Sequence, residues 1–361
     1  TSIYCPFHAD SNPSAFIAYS PEQFKRYIHC SSCNGGTTWW EKTTDDILEK
    51  KCGNFWSHKT KVYEAGIVGD VFSFQDVGKE KFFIRSRTKN REARENLYEY
   101  LVLERHIHDF TSIEYHPRAD YEQSSFTMLK SEGKVLVEIA ARASDVQDNS
   151  FIEARLDEWF GNQKDFIKRW MALYSYTNYT PLPTLIFIGE RNSGKSKAAE
   201  MIASIFPSMS LTPNDVLGQF NPYAEKKLIL IDESTREGRI RYEQLKQFSG
   251  SEYMEVNKKG QPQLPVRNNL NVILLSNNMT PVFVRRGEMP KDERSNQFFV
   301  YSFPGFRGQI DPMLPDKLKA RIGYYVRTEL RDVYDSIRSQ THGYRYSIPV
   351  PITDEEKALF M

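Results

Sequence analysis

No apolar run in this chain approaches the roughly 20 residues needed to span a bilayer, and the opening residues TSIYCPFHAD carry no basic-then-apolar leader pattern. Neither a membrane anchor nor secretion is expected, and the expected setting is intracellular. An excess of charge is also missing. The 48 Lys and Arg stand against 47 Asp and Glu, a net charge of +1, so overall charge is silent about nucleic acid. No Asp-x-Asp occurs anywhere; Asp120-Tyr-Glu122 is the nearest, in a polar stretch. Metal-dependent nucleotide addition relies on such clustered carboxylates, so no primer-synthesising centre is expected within these residues. Internal repeats and long low-complexity segments are absent too. The chain begins on Thr1 rather than Met, which fits a piece of a longer protein.

What is present is ordinary for a globular chain: 361 residues, 40% hydrophobic and 26% charged, long enough for two or three domains. Five stretches differ in texture. Residues 1–40 hold three of the four cysteines, and 41–150 mix short β-branched or aromatic runs with polar helical stretches. Over 151–180, apolar residues from Ile152 to Tyr174 repeat at three- and four-residue steps, as in a helix. An αβ pattern follows over 181–305, with apolar strands predicted at 184–189, 227–232 and 271–276 and a helix at 195–206. The tail, 306–361, reads as helical.

The sharpest motif is GERNSGKS: Gly189, Glu190, Arg191, Asn192, Ser193, Gly194, Lys195 and Ser196. It matches G-x-x-x-x-G-K-[ST] between a predicted strand and a predicted helix, the context in which backbone N–H groups can cradle phosphates. Lys195 is the candidate for the β- and γ-phosphates, and Ser196 for Mg²⁺. LILIDE ends the next apolar run on Asp232 and Glu233, candidates to hold Mg²⁺ and to orient a water. VILLSNN ends the third on Asn277, placed to sense the γ-phosphate. An acidic pair or an Asn after a strand is by itself a common solvated turn. The order of the three pieces carries the weight.

That order, GERNSGKS, LILIDE, LKQFSGSEYMEVNKKGQPQLPV, VILLSNN, resembles the superfamily 3 helicases of viruses, phages and plasmids over about 155–305, and most nearly their primase-helicases. The resemblance implies an α/β, P-loop AAA+-like ATPase core with a helical collar at 151–180. It implies a ring of six subunits hydrolysing ATP and drawing single-stranded DNA through the centre, in the host cytoplasm if a phage or mobile element encodes it. It implies a pore hairpin with Lys258 and Lys259 at its tip, for which a solvated turn is an equal alternative. It also implies an arginine finger: Arg294, before FFVYSF, is the first choice, with Arg285 and Arg286 open.

Cys5-Pro-Phe-His8 and Cys30-Ser-Ser-Cys33 supply four ligands in two knuckles, the pattern of a closed, structural Zn²⁺ site; Cys52 or His29 is an alternative for one ligand but completes the two knuckles less well. CPFHADSNPS and YIHCSSC resemble the zinc ribbon of bacterial primases, which implies contact with template DNA or with a primase or polymerase partner. Tyr19, Phe24, Lys25, Arg26 and Tyr27 suit stacking and phosphate contact and equally suit a small core. His106-Ile-His108, with Tyr115 or Tyr121, weakly matches a nickase and reads better as structural. The basic stretch 79–94 is either a DNA-contacting wing or a solvated helix. Besides the helicase, two readings stay open: a P-loop kinase of a small molecule, and a non-enzymatic origin-binding or scaffold module.

Overall fold

The computed structural model describes residues 2–3, 12, 14–20, 25–32, 37–40, 55–58, 61–68, 71–76, 108–178, 182–216, 218, 220–232, 240–259, 263–278, 281–283, 298–305 and 311–338. Backbone contacts divide the chain into two units. The smaller holds 1–68, 72–111 and 128–135, and the larger 69–71, 112–127 and 136–361.

In the smaller unit, β1 (Ser2–Ile3), β2 (Ala15–Ser20), β3 (Lys25–Cys30) and β4 (Thr37–Trp40) form an antiparallel sheet in chain order. A second sheet has the order β7-β6-β5-β8, from β5 (Phe55–His58), β6 (Lys61–Val68), β7 (Val71–Asp76) and β8 (His108–Asp109). Its aromatic core holds Trp56, Tyr63, Phe74 and Phe110, all buried, with Trp56 stacked on Tyr63 at 4.8 Å. His108 lies in β8, its backbone paired with Trp56, while His106 and the stretch 79–94 fall outside the described residues.

Another sheet has the order β10-β11-β9-β17-β16. Its strands are β9 (Ser112–Arg118), β10 (Ser125–Leu129), β11 (Lys134–Ala140), β16 (Tyr253–Val256) and β17 (Leu264–Arg267). Tyr115 is buried on β9. Beside this sheet in sequence, α1 (Ser150–Phe160) and α2 (Lys164–Tyr176) occupy the stretch predicted as one helix. Gly161, at φ 49°, ends α1, because a residue at positive φ cannot continue a right-handed helix. α2 buries Phe166, Ile167, Trp170, Met171 and Tyr174, and Trp170 donates its indole N–H to the Pro183 carbonyl at 2.9 Å.

The main core is a parallel sheet of β12 (Thr184–Ile188), β13 (Met209–Leu211), β14 (Leu228–Asp232), β18 (Asn271–Ser276) and β20 (Phe298–Ser302), ordered β13-β14-β18-β12-β20. The short strands β15 (Ile240–Arg241) and β19 (Val282–Phe283) pair with each other. β12 and β18 are buried along their whole length, as their unbroken apolar sequences require when both faces are covered. At the foot of β14, Lys227 is buried and donates to the Pro117 and Thr177 carbonyls. Burial pushes its pKa well below the usual lysine range. Further helices are α3 (Lys195–Ala203), α4 (Tyr242–Gly250), α5 (Leu314–Arg327) and α6 (Glu329–Ile337), the last two falling within the tail predicted as helical. No described helix is long and apolar enough to cross a membrane.

Candidate nucleotide site

Three strands deliver the site. The register pairs Ile188 with Ser276 and Asp232 with Leu275, so β12, β14 and β18 end level at the carboxyl edge of the sheet. Open parallel sheets bind ligands outside that edge, because the strand-to-helix turns leave room there. The turn after β12 is the glycine-rich loop. Gly189 has φ 150°, Asn192 has φ 68° and Gly194 has φ 95°. A Cβ at Gly189 would meet the Phe303 carbonyl and the Ser193 hydroxyl at 3.1 Å, so a side chain there would be crowded as well as conformationally strained.

Gly194 is the N-cap of α3 and has no side chain to cap it. The first intrahelical bond runs from the Ala198 N–H to the Gly194 carbonyl at 3.0 Å. The amides before Ala198 therefore have no carbonyl one turn back, and they carry the positive end of the helix dipole. This is the backbone arrangement that takes an anion.

Lys195 is 7% exposed. Its Nζ donates to the Asn277 Oδ1 at 2.6 Å and to the Glu190 carbonyl at 3.0 Å. Burial lowers its pKa, partly offset by the Asp232 carboxylate. The loop and strand ends border one cavity of about 740 Å³, which Lys195, Ser196, Asp232 and Asn277 all line. Asp311 and Leu314 line it from the start of α5, and Arg155 and Trp159 from α1.

The structure thus brings together the loop, Asp232 and Asn277. Glu233, Arg285, Arg286 and Arg294 lie outside the described residues, as do Cys5, His8 and Cys33. Cys30 ends β3 and is buried, with its Sγ 3.3 Å from the Ser14 hydroxyl. Lys258 and Lys259 do lie between paired strands, since β16 and β17 are antiparallel with Val256 opposite Leu264. Lys258, however, forms an ion pair with Glu225, whose side chain is only 7% exposed. Trp159 and Arg155 were not singled out by sequence as site residues. Their spacing of four places them on one helical face, but only the fold shows that this face meets the loop.

Residues 187–294 match a family of unknown function (DUF5906). A protein of Nitratiruptor phage NrS-1 named DNA Primase-polymerase is 30% identical over 122 residues, which cover 31% of this chain and 17% of that relative's length. Two apo structures of the NrS-1 C-terminal region align with TM-scores of 0.58 and 0.59 at 16% identity. They cover 87% and 89% of this chain and 73% and 75% of theirs. At that identity the likeness is one of fold, a mixed α/β architecture.

These findings correct the superfamily 3 assignment. The helicase resemblance rests on the order of loop, acidic strand end and Asn-ended strand, and any phosphate site built at the edge of a parallel sheet tends to produce such an order. Fold and strand-end order do not determine activity. Within that stretch residues 187–294 match a family of unknown function, and the named relative is a DNA primase-polymerase. The ATP-hydrolysing helicase, its AAA+ label and its ring of six subunits therefore do not stand.

Proposed function

We propose that this chain is a nucleotide-binding region of a DNA primase-polymerase-type replication protein, holding a nucleoside triphosphate and Mg²⁺ at the loop 189–196 and acting on DNA. The observation that carries the reading is the convergence of Lys195, Ser196, Asp232 and Asn277 on one cavity beside the bare N-terminus of α3. The named relative supports the replication context.

In this reading the loop amides take the phosphates, and Lys195 exchanges its bond to Asn277 for one to a phosphate oxygen. Asn277, released, becomes a second polar contact. Ser196 and Asp232 hold Mg²⁺; two protein ligands suffice, because this ion keeps waters and phosphate oxygens as its remaining ligands. Glu233 and Arg294 are the further groups assigned to the phosphates, and Lys259 to DNA, with Lys258 bracing the hairpin through its ion pair with Glu225. In the smaller unit, Cys5, His8, Cys30 and Cys33 are assigned a structural Zn²⁺, and zinc content falling in Cys30→Ser would support that set.

Calorimetry tests the central assignment. The wild type is expected to bind a nucleoside triphosphate with Mg²⁺, and Lys195→Ala to lose that binding while keeping its melting curve. Equal affinity in the two proteins would refute it. Fluorescence anisotropy with a labelled single-stranded oligonucleotide tests the DNA part separately.

A further inference from the structure

Two polar groups in the cavity have no use in the site as described so far. The Ser193 hydroxyl is buried, and no acceptor or donor meets it among the described residues. Trp159, in the last turn of α1, is 5% exposed and lines the same cavity. Among the described residues no hydrogen bond uses its indole N–H. The N–H opens to the cavity, so a ligand that covered it without accepting from it would leave a buried donor unpaired, at a cost on the order of 1–3 kcal/mol. The indole cannot reverse its role, because it donates only.

Its position narrows the partner. A Cβ built on Gly194 would lie 3.0 Å from the Trp159 Nε1 and 3.3 Å from its Cδ1. The indole edge therefore sits against the N-cap of α3, where the uncapped amides begin, with Lys195 adjoining. The carboxylates that line the cavity, Glu158, Asp232 and Asp311, make no hydrogen bond to the indole among the described residues, and a donor set among amide donors and a lysine suits an anionic acceptor.

We propose that Trp159 is a phosphate-binding residue, its indole N–H donating to the triphosphate chain from α1 while the Ser193 hydroxyl does so from the loop. This rests on the reading of loop 189–196 as a triphosphate site and adds to it a contact from outside the loop. It also gives the glycine at 194 a second reason: a side chain there would push the indole off the phosphates.

The test uses the full chain labelled with ¹⁵N in tryptophan. The probes are the β,γ-methylene analogue of ATP with Mg²⁺ and, separately, inorganic tripolyphosphate. The Trp159 indole resonance, identified by its absence in Trp159→Phe, is expected to shift downfield with both probes. Trp159→Phe keeps a ring against Gly194 and is expected to bind both probes about tenfold more weakly, the loss typical of one hydrogen bond to a charged group. Trp159→His, which retains a ring N–H, should recover part of that loss.

An unmoved Trp159 resonance at saturation, with wild-type affinity in Trp159→Phe, overturns the proposal and leaves the loop assignment intact. Failure of the wild type to bind either probe overturns both. Should Trp159→Phe not fold, Trp159→Tyr identifies the resonance, and the wild-type shift decides.

Discussion

The glycine-rich loop and the β16–β17 hairpin both present lysines, yet the fold uses them in opposite ways. Lys195 faces a cavity and is held by an amide oxygen and a carbonyl, partners it can exchange for phosphate without leaving a charge stranded. Lys258 faces Glu225, a carboxylate with 7% side-chain exposure, and cannot leave without stranding it. A lysine in a turn is thus a ligand-binding group or a structural one according to what lies opposite, and charge alone does not separate the two.

The comparison can be broken most decisively at Lys195. Lys195→Ala should weaken triphosphate binding by about a hundredfold or more, the loss of charge-assisted bonds in a shielded site, with little change in melting temperature. A large drop in stability instead would make it structural like Lys258. Next comes Gly194→Ala: φ 95° and the Trp159 edge both oppose the new methyl, so roughly tenfold weaker binding and a cost of about 1–3 kcal/mol are expected by titration and denaturation.

At the hairpin the sign reverses. Lys258→Ala should lower stability by about 1–3 kcal/mol, and adding Glu225→Gln should restore much of it, because the stranded carboxylate is the cause. Denaturant melts of the two single variants and the double measure the coupling, and additive losses would dissolve the pair. Lys259, exposed beside it, should matter least to the fold. Lys259→Ala is expected to leave stability unchanged and to lower DNA affinity two- to threefold, reducing its salt slope by about 1.

Helix α1, which contributes Arg155 and Trp159 to the cavity wall, offers a pH test between these extremes. Burial alone would raise the Glu153 pKa, but hydrogen bonds from Lys164, Lys168 and Tyr325 outweigh it and bring the carboxyl to about 2. A folded value below the unfolded one means stability present above about pH 4.5 and lost as pH falls toward 2. The loss, discounted for partial exposure, is about 1–2 kcal/mol. Glu153→Gln should flatten that part of the stability curve, and α1, which carries Trp159, should loosen first.

Much of the sheet was legible as sequence. TLIFIG, KLILID and NVILLS read as covered strands because an unbroken apolar run has only one stable place, and GERNSGKS required a phosphate-type turn because its glycines occupy conformations other residues avoid. The break at Gly161 was less visible, since the apolar period continues across it and only its positive φ divides the helix. Gly323 was silent as well. A Cβ there would lie 2.2 Å from the Arg142 carbonyl, 181 residues earlier in the chain, so the need for glycine comes from a neighbour the sequence does not name. The helicase assignment failed for a related reason: the strand-end order reports a phosphate site on a parallel sheet, and activity depends on what surrounds it.

The sequence by itself determined the local matters: which runs become buried strands, where the backbone must turn through glycine, and that a lysine and a serine follow that turn into a helix. These depend on residues within one or two turns of each other. Tertiary structure alone decided that Asn277 holds Lys195, that Glu225 occupies Lys258 and that the Trp159 indole lies against Gly194. Each joins residues at least 33 positions apart, and whether such groups meet depends on how whole elements pack, which no local pattern encodes.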